Sequence, residues 1–453
     1  MTGAERLQFA AATSSFQVEG SLDADGRGVS IWDTFCAQPG RIADGSDAAV
    51  ACDSYRRWAL DLDLLAGLGV DAYRFSIAWP RVQPTGSGAV EARGLDHYEQ
   101  VVDGLLARGL QAHVTLYHWD LPQPLEDAGG WPARDTAARF AEYAAAVHAR
   151  LGDRVARWAT VNEPWVSAFL GYASGVHAPG VQDAEAAFRA AHHLLLGHAW
   201  AAQALRAAQP DVEVGIVLNL TSVLVDDEMD FEVGEGIDAQ RNGLWLDALR
   251  DGRYPPPAVE AGPVLADPTL VHDGDLDTIR GSADWVGVNY YTPVRLGAEG
   301  SGDAPAGDEP ASYPNVGSFS NAPRGPLTTM GWEVEPSALA DLLERLRVWD
   351  PSMPLHITEN GAAYPDTRRD AAGVIDDQDR IDYLRRHLAV VDQARARGVD
   401  VRTYTVWSLL DNFEWALGYT QRFGLVEVDP VTQIRRPKAS YRWLADEIAR
   451  RRG

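Results

Sequence analysis

Two short segments of the chain each end a β-branched apolar run with a glutamate that is followed by turn-forming residues. Thr160–Pro164 contains Glu163, and Ile357–Gly361 contains Glu359. Core packing does not explain a carboxylate at the mouth of a buried strand. Two such carboxylates on different strands of one sheet can act as a general acid and base, or as a nucleophile and a proton donor. Such a pair is needed to break a glycosidic bond.

Side chains that form hydrogen bonds or present flat apolar rings follow most of the other predicted strands. A sugar requires this mixture, because its hydroxyls form hydrogen bonds and its C–H surface packs on aromatic faces. The residues are Gln17, Arg74, His118, Trp119, Asn289, Tyr291, Trp407, Glu414 and Trp415. No HxH or HExxH spacing indicates a metal site, so we expect neither a metal nor another cofactor.

Eight apolar, strand-like runs alternate with helical patterns along the chain. The predicted strands are Leu7–Thr13, Ala72–Ser76, Gln111–Leu116, Arg157–Val161, Val214–Leu218, Trp285–Asn289, Leu355–Thr358 and Val401–Trp407. The clearest predicted helices are Asp135–Leu151, Ala184–Gln209, Ser337–Trp349 and Asp377–Arg397. This alternation predicts an α/β fold, a single (β/α)8 TIM barrel with extended βα loops. An open doubly wound sheet is the alternative, although no Gly-rich dinucleotide fingerprint follows an early strand.

No linker divides the sequence, so we predict one domain over residues 1–453. The segment 297–325 is rich in Gly, Pro, Ser, Asp and Asn and follows the sixth predicted strand. Active sites of such barrels lie at the carboxyl ends of the strands, and long irregular loops in compact domains are commonly functional or disordered. We therefore predict a loop at the active-site entrance, with a plain surface excursion as the alternative.

The composition limits the class of partner. The formal net charge of −25 over 453 residues disfavours nucleic acids and anionic membranes, but it does not disfavour a neutral small molecule. Cys36 and Cys52 are too few for a disulfide scaffold. We see no secretory signal before Leu7 and no apolar stretch long enough to span a bilayer, which favours a cytoplasmic protein. The oligomeric state stays open.

Several long motifs give the chain a family resemblance. They are Ala12–Gly20, Ser30–Phe35, Arg74–Arg81, Tyr117–Leu121, Thr160–Pro164, Ile357–Gly361, Trp407–Trp415 and Arg422–Val426. In these motifs the chain resembles the bacterial, retaining β-glucosidases of glycoside hydrolase family 1, over nearly its full length. The resemblance implies a two-step mechanism through a covalent glycosyl-enzyme, with carboxyl groups about 5–5.5 Å apart.

The resemblance also assigns roles to individual residues. It implies that Glu359 is the nucleophile, that Glu163 is the acid/base, and that Arg74 and Tyr291 support the nucleophile. The implied glycone-binding residues are Gln17, His118, Trp119, Asn162, Asn289, Trp407, Glu414, Trp415 and Phe423. The implied aglycone-binding residues are Trp165, His177, Asn219 and Trp332.

The resemblance implies a small-molecule β-glycoside as substrate: cellobiose, short cello-oligosaccharides or aryl and alkyl β-glucosides. Glu414 would repel a 6-phosphate, which favours an unphosphorylated glucoside, galactoside or fucoside. β-Galactosidase or β-fucosidase side activity and transglycosylation are compatible with this interpretation. A catalytically silent sugar-binding barrel and a metal-dependent barrel hydrolase are the alternatives, because the fold alone does not determine function.

Overall fold

The structure is a computed structural model that describes residues 6–226, 231–297 and 310–453. Eight parallel strands form a closed barrel. They are β1 (Gln8–Ala12), β2 (Ala72–Ser76), β3 (Gln111–Tyr117), β4 (Arg157–Asn162), β5 (Val214–Leu218), β6 (Trp285–Asn289), β7 (Leu355–Asn360) and β8 (Val401–Trp407). All eight predicted strands are confirmed, with small shifts at their ends. The closed barrel rules out the open doubly wound sheet.

The strands pair in chain order, and β1 closes the barrel by pairing with both β2 and β8. Ala12 lies opposite Arg74 on one side and Trp407 on the other. The strands β1, β2 and β8 therefore bring predicted site residues to the same rim of the barrel. On the far side of the barrel, Asn289 of β6 lies opposite Glu359 of β7. The parallel pairing therefore gathers the carboxyl ends of the strands, and the polar residues that follow them, at one opening.

Helices surround the barrel and cover its apolar outer face. They are Ser15–Val18, Ile31–Cys36, Ser54–Leu68, Trp79–Val82, Ala92–Ala107, Gln123–Asp127, Arg134–Leu151, Ala184–Ala208, Phe231–Asp238, Leu244–Asp251, Pro256–Ala261, Asp275–Ile279, Pro336–Trp349, Gln378–Ala396 and Ala439–Arg452. The four helices predicted from amphipathic patterns are confirmed to within one residue at each end. None of the described helices is long and apolar enough to cross a membrane.

Strand alternation separates the two faces of the barrel wall. Tyr73 and Phe75 of β2 pack as stacked rings in the main apolar core, whereas Arg74 between them bonds Glu359 across the barrel. Successive side chains of a strand face opposite sides, and paired residues on parallel strands face the same side. Arg74 pairs with His113, and Ser76 pairs with Thr115, so β3 also directs polar side chains into the barrel.

The predicted entrance loop 297–325 lies partly outside the described residues, because 298–309 fall in the gap. The described remainder packs beside the mouth of the barrel. The ring of Tyr313 lies 5.1 Å from that of Trp165, and Asn321 forms a bridge with Leu296. The entrance role of the loop and the single domain over 1–453 both stay predictions.

Candidate active site

A cavity of about 260 Å³ opens at the carboxyl end of the barrel. Its wall contains Glu163 and Glu359, together with rings and amides from the other strand ends. The predicted site residues that line it are His118, Trp119, Glu163, Trp165, His177, Asn219, Asn289, Tyr291, Trp332, Glu359, Trp407, Glu414, Trp415 and Phe423. The two glutamates are distant in sequence but face one space of the size of a small sugar-binding pocket.

Glu359 lies within β7 and is almost fully buried, with 3% of its surface exposed. The Arg74 Nη1 donates to Glu359 Oε1 at 2.5 Å, and the Tyr291 hydroxyl donates to Oε2 at 2.5 Å. Both oxygens of the carboxylate thus accept a hydrogen bond, one of them from a cation. These hydrogen bonds fix the orientation of the carboxylate.

Glu163 follows β4 in an unusual backbone conformation. Its φ is +48°, a left-handed value rare for a residue other than glycine, and its N–H donates to the Val217 carbonyl at 2.8 Å. The Asn289 Nδ2 donates to Glu163 Oε1 at 2.6 Å. Burial, followed by the negative charge of Glu359, raises the pKa of Glu163 to about 8. Glu163 is therefore largely protonated near neutral pH, as a proton donor must be.

Asn162 connects the two glutamates through its side-chain amide. Its Oδ1 accepts from Arg74 Nη2 at 2.7 Å and from Asn289 Nδ2 at 3.1 Å. Its Nδ2 must then donate, and it lies 3.1 Å from His118 Nε2. This arrangement makes Nε2 of His118 an acceptor and leaves the proton on Nδ1. Burial, with the charge of Arg74, holds the pKa of His118 well below its usual value, so the imidazole is neutral.

Aromatic rings form one wall of the cavity. The rings of Trp119 and Trp415 lie 4.5 Å apart, and Trp407 stacks with His118 at 5.9 Å. Phe423 lies 6.1 Å from the ring of Tyr291 on the neighbouring side. Such faces match the C–H surface of a sugar ring.

Glu414 is a third carboxyl group at the cavity, and it is partly exposed to it. The Gln17 Nε2 donates to Phe413 O at 2.8 Å and approaches Glu414 Oε2 at 3.4 Å. Burial, then the charges of Glu359 and Glu163, raise the pKa of Glu414 to about 8. The cavity therefore holds three acidic groups that compete for ionisation.

The lining of the cavity also contains Trp165, His177, Asn219 and Trp332, the predicted aglycone-side residues. Arg241, which our sequence analysis did not single out, lies between two of them. Its guanidinium is centred 3.9 Å above the Trp165 ring, and its Nε donates to the Asn219 carbonyl at 2.9 Å. No sequence signal distinguished Arg241, because it belongs to a helical segment with no motif of its own.

Three predicted site residues, Gln17, Arg74 and Asn162, are not among the side chains that line the cavity. They are buried and bond the side chains that do line it. The remaining lining residues not predicted from sequence are Val166, Leu170, Val176, Leu220, Arg241, Thr292, Met330, Ala416 and Leu417. Most are apolar and carry no chemistry that a pattern could indicate.

Within the described ranges, no group of three or more His, Cys, Asp or Glu side chains has an arrangement that could hold a metal ion. The carboxylates at the cavity instead contact arginine, tyrosine and amide groups. The site is thus built around paired carboxyl groups in a concave, aromatic pocket.

The family model for glycosyl hydrolase family 1 matches residues 4–453. The chain therefore belongs to glycosyl hydrolase family 1, a family of retaining glycosidases, and the family resemblance of the motifs is confirmed.

Several relatives align with almost the whole chain. A β-glucosidase of Agrobacterium sp. is 45% identical over 96% of this chain and 93% of its own. A bifunctional β-D-glucosidase/β-D-fucosidase of Bifidobacterium breve is 44% identical over 98% of both chains. The psychrophilic β-glucosidase BglU of Micrococcus antarcticus superposes with a TM-score of 0.93 at 42% identity, covering 99% of this chain and 97% of its own. A Thermotoga maritima β-glucosidase solved with deoxynojirimycin superposes at 0.90, with 40% identity and 99% and 98% coverage.

Proposed function

We propose that this protein is a retaining β-glucosidase that removes terminal, non-reducing β-D-glucosyl residues from cellobiose, short cello-oligosaccharides and aryl or alkyl β-glucosides. The observation that carries the proposal is the unequal environment of two facing glutamates. Glu359 accepts hydrogen bonds from Arg74 and Tyr291, while burial and a like charge raise the pKa of Glu163 to about 8. One group is equipped to attack and the other to donate a proton.

In the first step, Glu359 attacks the anomeric carbon while Glu163 protonates the departing glycosidic oxygen. The bond between the anomeric carbon and that oxygen breaks, and a glycosyl ester of Glu359 forms. The Tyr291 hydroxyl and Arg74 hold the attacking carboxylate in place. Asn162, bonded to Arg74 and next to His118, is suited to bond the sugar 2-hydroxyl, where contacts strengthen in the transition state.

In the second step, Glu163 takes a proton from water, which attacks the anomeric carbon and releases Glu359. Esterification has removed the charge of Glu359, so the like-charge contribution to the raised pKa of Glu163 is lost. Glu163 can then ionise and act as a base. Two inversions at the anomeric carbon leave the β configuration of the substrate in the product. The same intermediate would transfer glucose to an alcohol in place of water, which is transglycosylation.

The glycone preference follows from Glu414 and its neighbours. Glu414, held near Gln17, is suited to bond hydroxyls at the far end of the sugar, and a phosphate there would bring further negative charge beside the acidic groups of the cavity. We therefore propose unphosphorylated glucosides as the main substrates, with galactoside or fucoside cleavage as side activity. The bifunctional relative from Bifidobacterium breve supports including fucosides.

A product-configuration assay tests the proposal. The purified protein is incubated with 4-nitrophenyl β-D-glucoside, and the first glucose released is followed by proton NMR. We expect fast nitrophenol release and β-glucose as the initial product. Initial α-glucose would contradict the retaining mechanism, and tight sugar binding without release would favour the silent sugar-binding barrel. Activity that is lost on chelation would favour the metal-dependent alternative.

A further inference from the structure

The barrel interior beneath the candidate active site is polar. Barrels of this class usually fill this space with branched aliphatic side chains. Here the strand residues around one interior cavity include Val114, Ala159 and Trp285, but most are polar or charged: Arg74, His113, Thr115, Arg157, His356, Thr358, Thr403 and Thr405. Apolar packing alone does not account for this choice of residues.

Part of this interior layer is satisfied by its own contacts. The Arg157 Nη1 lies 3.2 Å from His113 Nε2 and 3.4 Å from the Thr403 hydroxyl oxygen. The His356 Nδ1 lies 2.9 Å from the same hydroxyl. Burial, with the charge of Arg157, holds the pKa of both His113 and His356 well below the usual value, so both rings are neutral.

A small cavity of about 10 Å³ lies among these side chains. Four of its lining residues, Arg74, Thr115, Arg157 and Trp285, carry a buried polar atom without a hydrogen-bond partner among the described residues: Nε, Oγ1, Nε and Nε1 respectively. Arg74, Thr115 and Trp285 are more than nine-tenths buried, and Arg157 is half-buried. A buried polar group left unpaired costs about 1–3 kcal/mol, so these atoms indicate that a ligand is bound between them.

We propose that this cavity binds one internal water molecule that is hydrogen-bonded to Arg74 Nε and the Thr115 hydroxyl. A cavity of about 10–15 Å³ with two to four polar partners suits a single water. A water can accept from the Nε–H of Arg74 and from the indole N–H of Trp285 while it donates to the Thr115 oxygen. A volume of about 10 Å³ matches one water molecule and is too small for a larger anion.

The water would complete the bonding of Arg74. The guanidinium donates through Nη1 to Glu359 and to the Thr358 carbonyl, and through Nη2 to Asn162. Its Nε has no hydrogen-bond partner among the described residues, and a water bound there would fix the plane of the guanidinium. Thr115 is then a positioning residue that acts on Glu359 through the water and Arg74. This role depends on the proposed function of Glu359 as the nucleophile.

Substitution of Thr115 tests the positioning role. Thr115→Val keeps the shape of the side chain but removes the hydroxyl, whereas the matched control Thr115→Ser keeps the hydroxyl. The rate of attack is read from inactivation by a 2,4-dinitrophenyl 2-deoxy-2-fluoro-β-glucoside, which traps the glycosyl-enzyme. We expect Thr115→Val to slow trapping by about tenfold at an unchanged unfolding temperature, with Thr115→Ser within about twofold of wild type. Equal trapping rates for valine and wild type, or equal losses for valine and serine, would overturn the role of Thr115.

A high-resolution crystal structure of the wild-type protein, grown with bromide, tests the water itself. We expect one density peak within about 3.2 Å of Arg74 Nε that gives no anomalous signal. An anomalous bromide peak, or no density in the cavity, would overturn the proposal. This measurement does not depend on catalysis, so it stays decisive if Thr115→Val fails to fold. It also separates failure of the internal water from failure of the proposed β-glucosidase activity.

Discussion

Two buried groups of three carboxyls lie in different parts of this molecule and are balanced differently. At the cavity, the described residues form one salt bridge to Glu163, Glu359 or Glu414, from Arg74 to Glu359, and Arg241 also lines the cavity. Near the C-terminal helix, Asp366, Asp377 and Asp411 contact two cations, Arg380 and Lys438. We call the second group the C-terminal ion cluster.

The C-terminal ion cluster is closely paired. Lys438 Nζ lies 2.5 Å from Asp366 and 2.7 Å from Asp411, and Arg380 contacts both Asp366 and Asp377. Burial raises the pKa of Asp411, but the charges of Lys438 and Arg380 oppose this rise. The cluster joins the segments that follow β7 and β8 to the start of the C-terminal helix.

The cavity carboxyls are paired less completely, and two of them bind a proton more tightly than an ordinary glutamate does. The pKa of Glu163 and the pKa of Glu414 both rise to about 8, mainly because of burial and then because of neighbouring negative charge. A buried acidic cluster in which each carboxyl group contacts a cation thus connects parts of the structure. A buried acidic cluster with fewer cation contacts can instead bind and release protons, at some cost in the stability of the folded protein.

The largest expected effect is from removing the nucleophile. Glu359→Gly should lower kcat for an aryl β-glucoside by at least about 10⁴-fold, because no group remains to form the glycosyl-enzyme. Azide or formate should restore turnover in the space left by the carboxylate, and the azide product should have the inverted, α configuration by NMR. Wild-type protein with azide is the control. A folded variant that azide does not rescue would contradict the assignment of Glu359.

Removing the proton donor should have a smaller effect that depends on the leaving group. Glu163→Gln should lower kcat/KM by about 10³-fold for an alkyl glucoside but by less than about tenfold for a dinitrophenyl glucoside, which needs no protonation. The wild-type kcat/KM should fall as the pH rises through about 8, because the proton is lost at the raised pKa of Glu163. This fall should be absent in the variant.

Equal losses for both substrates would contradict an acid role for Glu163. If kcat/KM of Glu163→Gln still falls as the pH rises through about 8, the titration belongs to another group. Initial-rate measurements with both substrates across the pH range distinguish these outcomes.

Disrupting the C-terminal ion cluster should lower the stability of the folded protein and leave catalysis unchanged. Lys438→Met leaves Asp411 buried without its paired ammonium and should lower the free energy of unfolding by about 3 kcal/mol. The control is Arg139→Met, which removes an exposed arginine paired with Asp135 and should cost less than about 1 kcal/mol. Denaturant unfolding measures both, and equal costs would contradict the structural role of the cluster.

The smallest expected effect is a gain in stability when the ionisable group of Glu414 is removed from the cavity. The pKa of Glu414 is raised in the folded state, so the folded protein binds the extra proton between about pH 4.5 and 8, and stability falls as the pH rises across this window. Glu414→Gln cannot ionise and should be more stable than wild type by about 1 kcal/mol near pH 8.5, with a smaller difference near pH 5. Thermal unfolding at both values tests this, and a difference independent of pH would contradict it.

The barrel and its two central glutamates were predictable because local patterns specify them. β-Branched runs such as Arg157–Val161 form strands in most contexts, and a glutamate followed by proline or glycine marks a strand end. Parallel pairing then brings the strand ends together without further information. The family motifs added the aromatic wall and the residues that support Glu359.

The C-terminal ion cluster and Arg241 were not predictable in this way. Lys438 is the only lysine of the chain, and in sequence we attribute its rarity to composition bias. Its two partners, Asp366 and Asp411, are remote in the chain, so only the folded arrangement brings them into contact. Charges paired across such distances follow no local periodicity, and neither does an arginine that covers a tryptophan from another element.

Complete burial of the single lysine has a practical consequence. The side chain of Lys438 is 0% exposed, so the chain presents no ε-amino group to solvent. Aldehydes, the open-chain form of glucose among them, react with exposed amines to form Schiff bases. A protein that releases glucose but displays no lysine at its surface should accumulate few sugar adducts during prolonged turnover, and lysine-directed cross-linkers should fail to immobilise it.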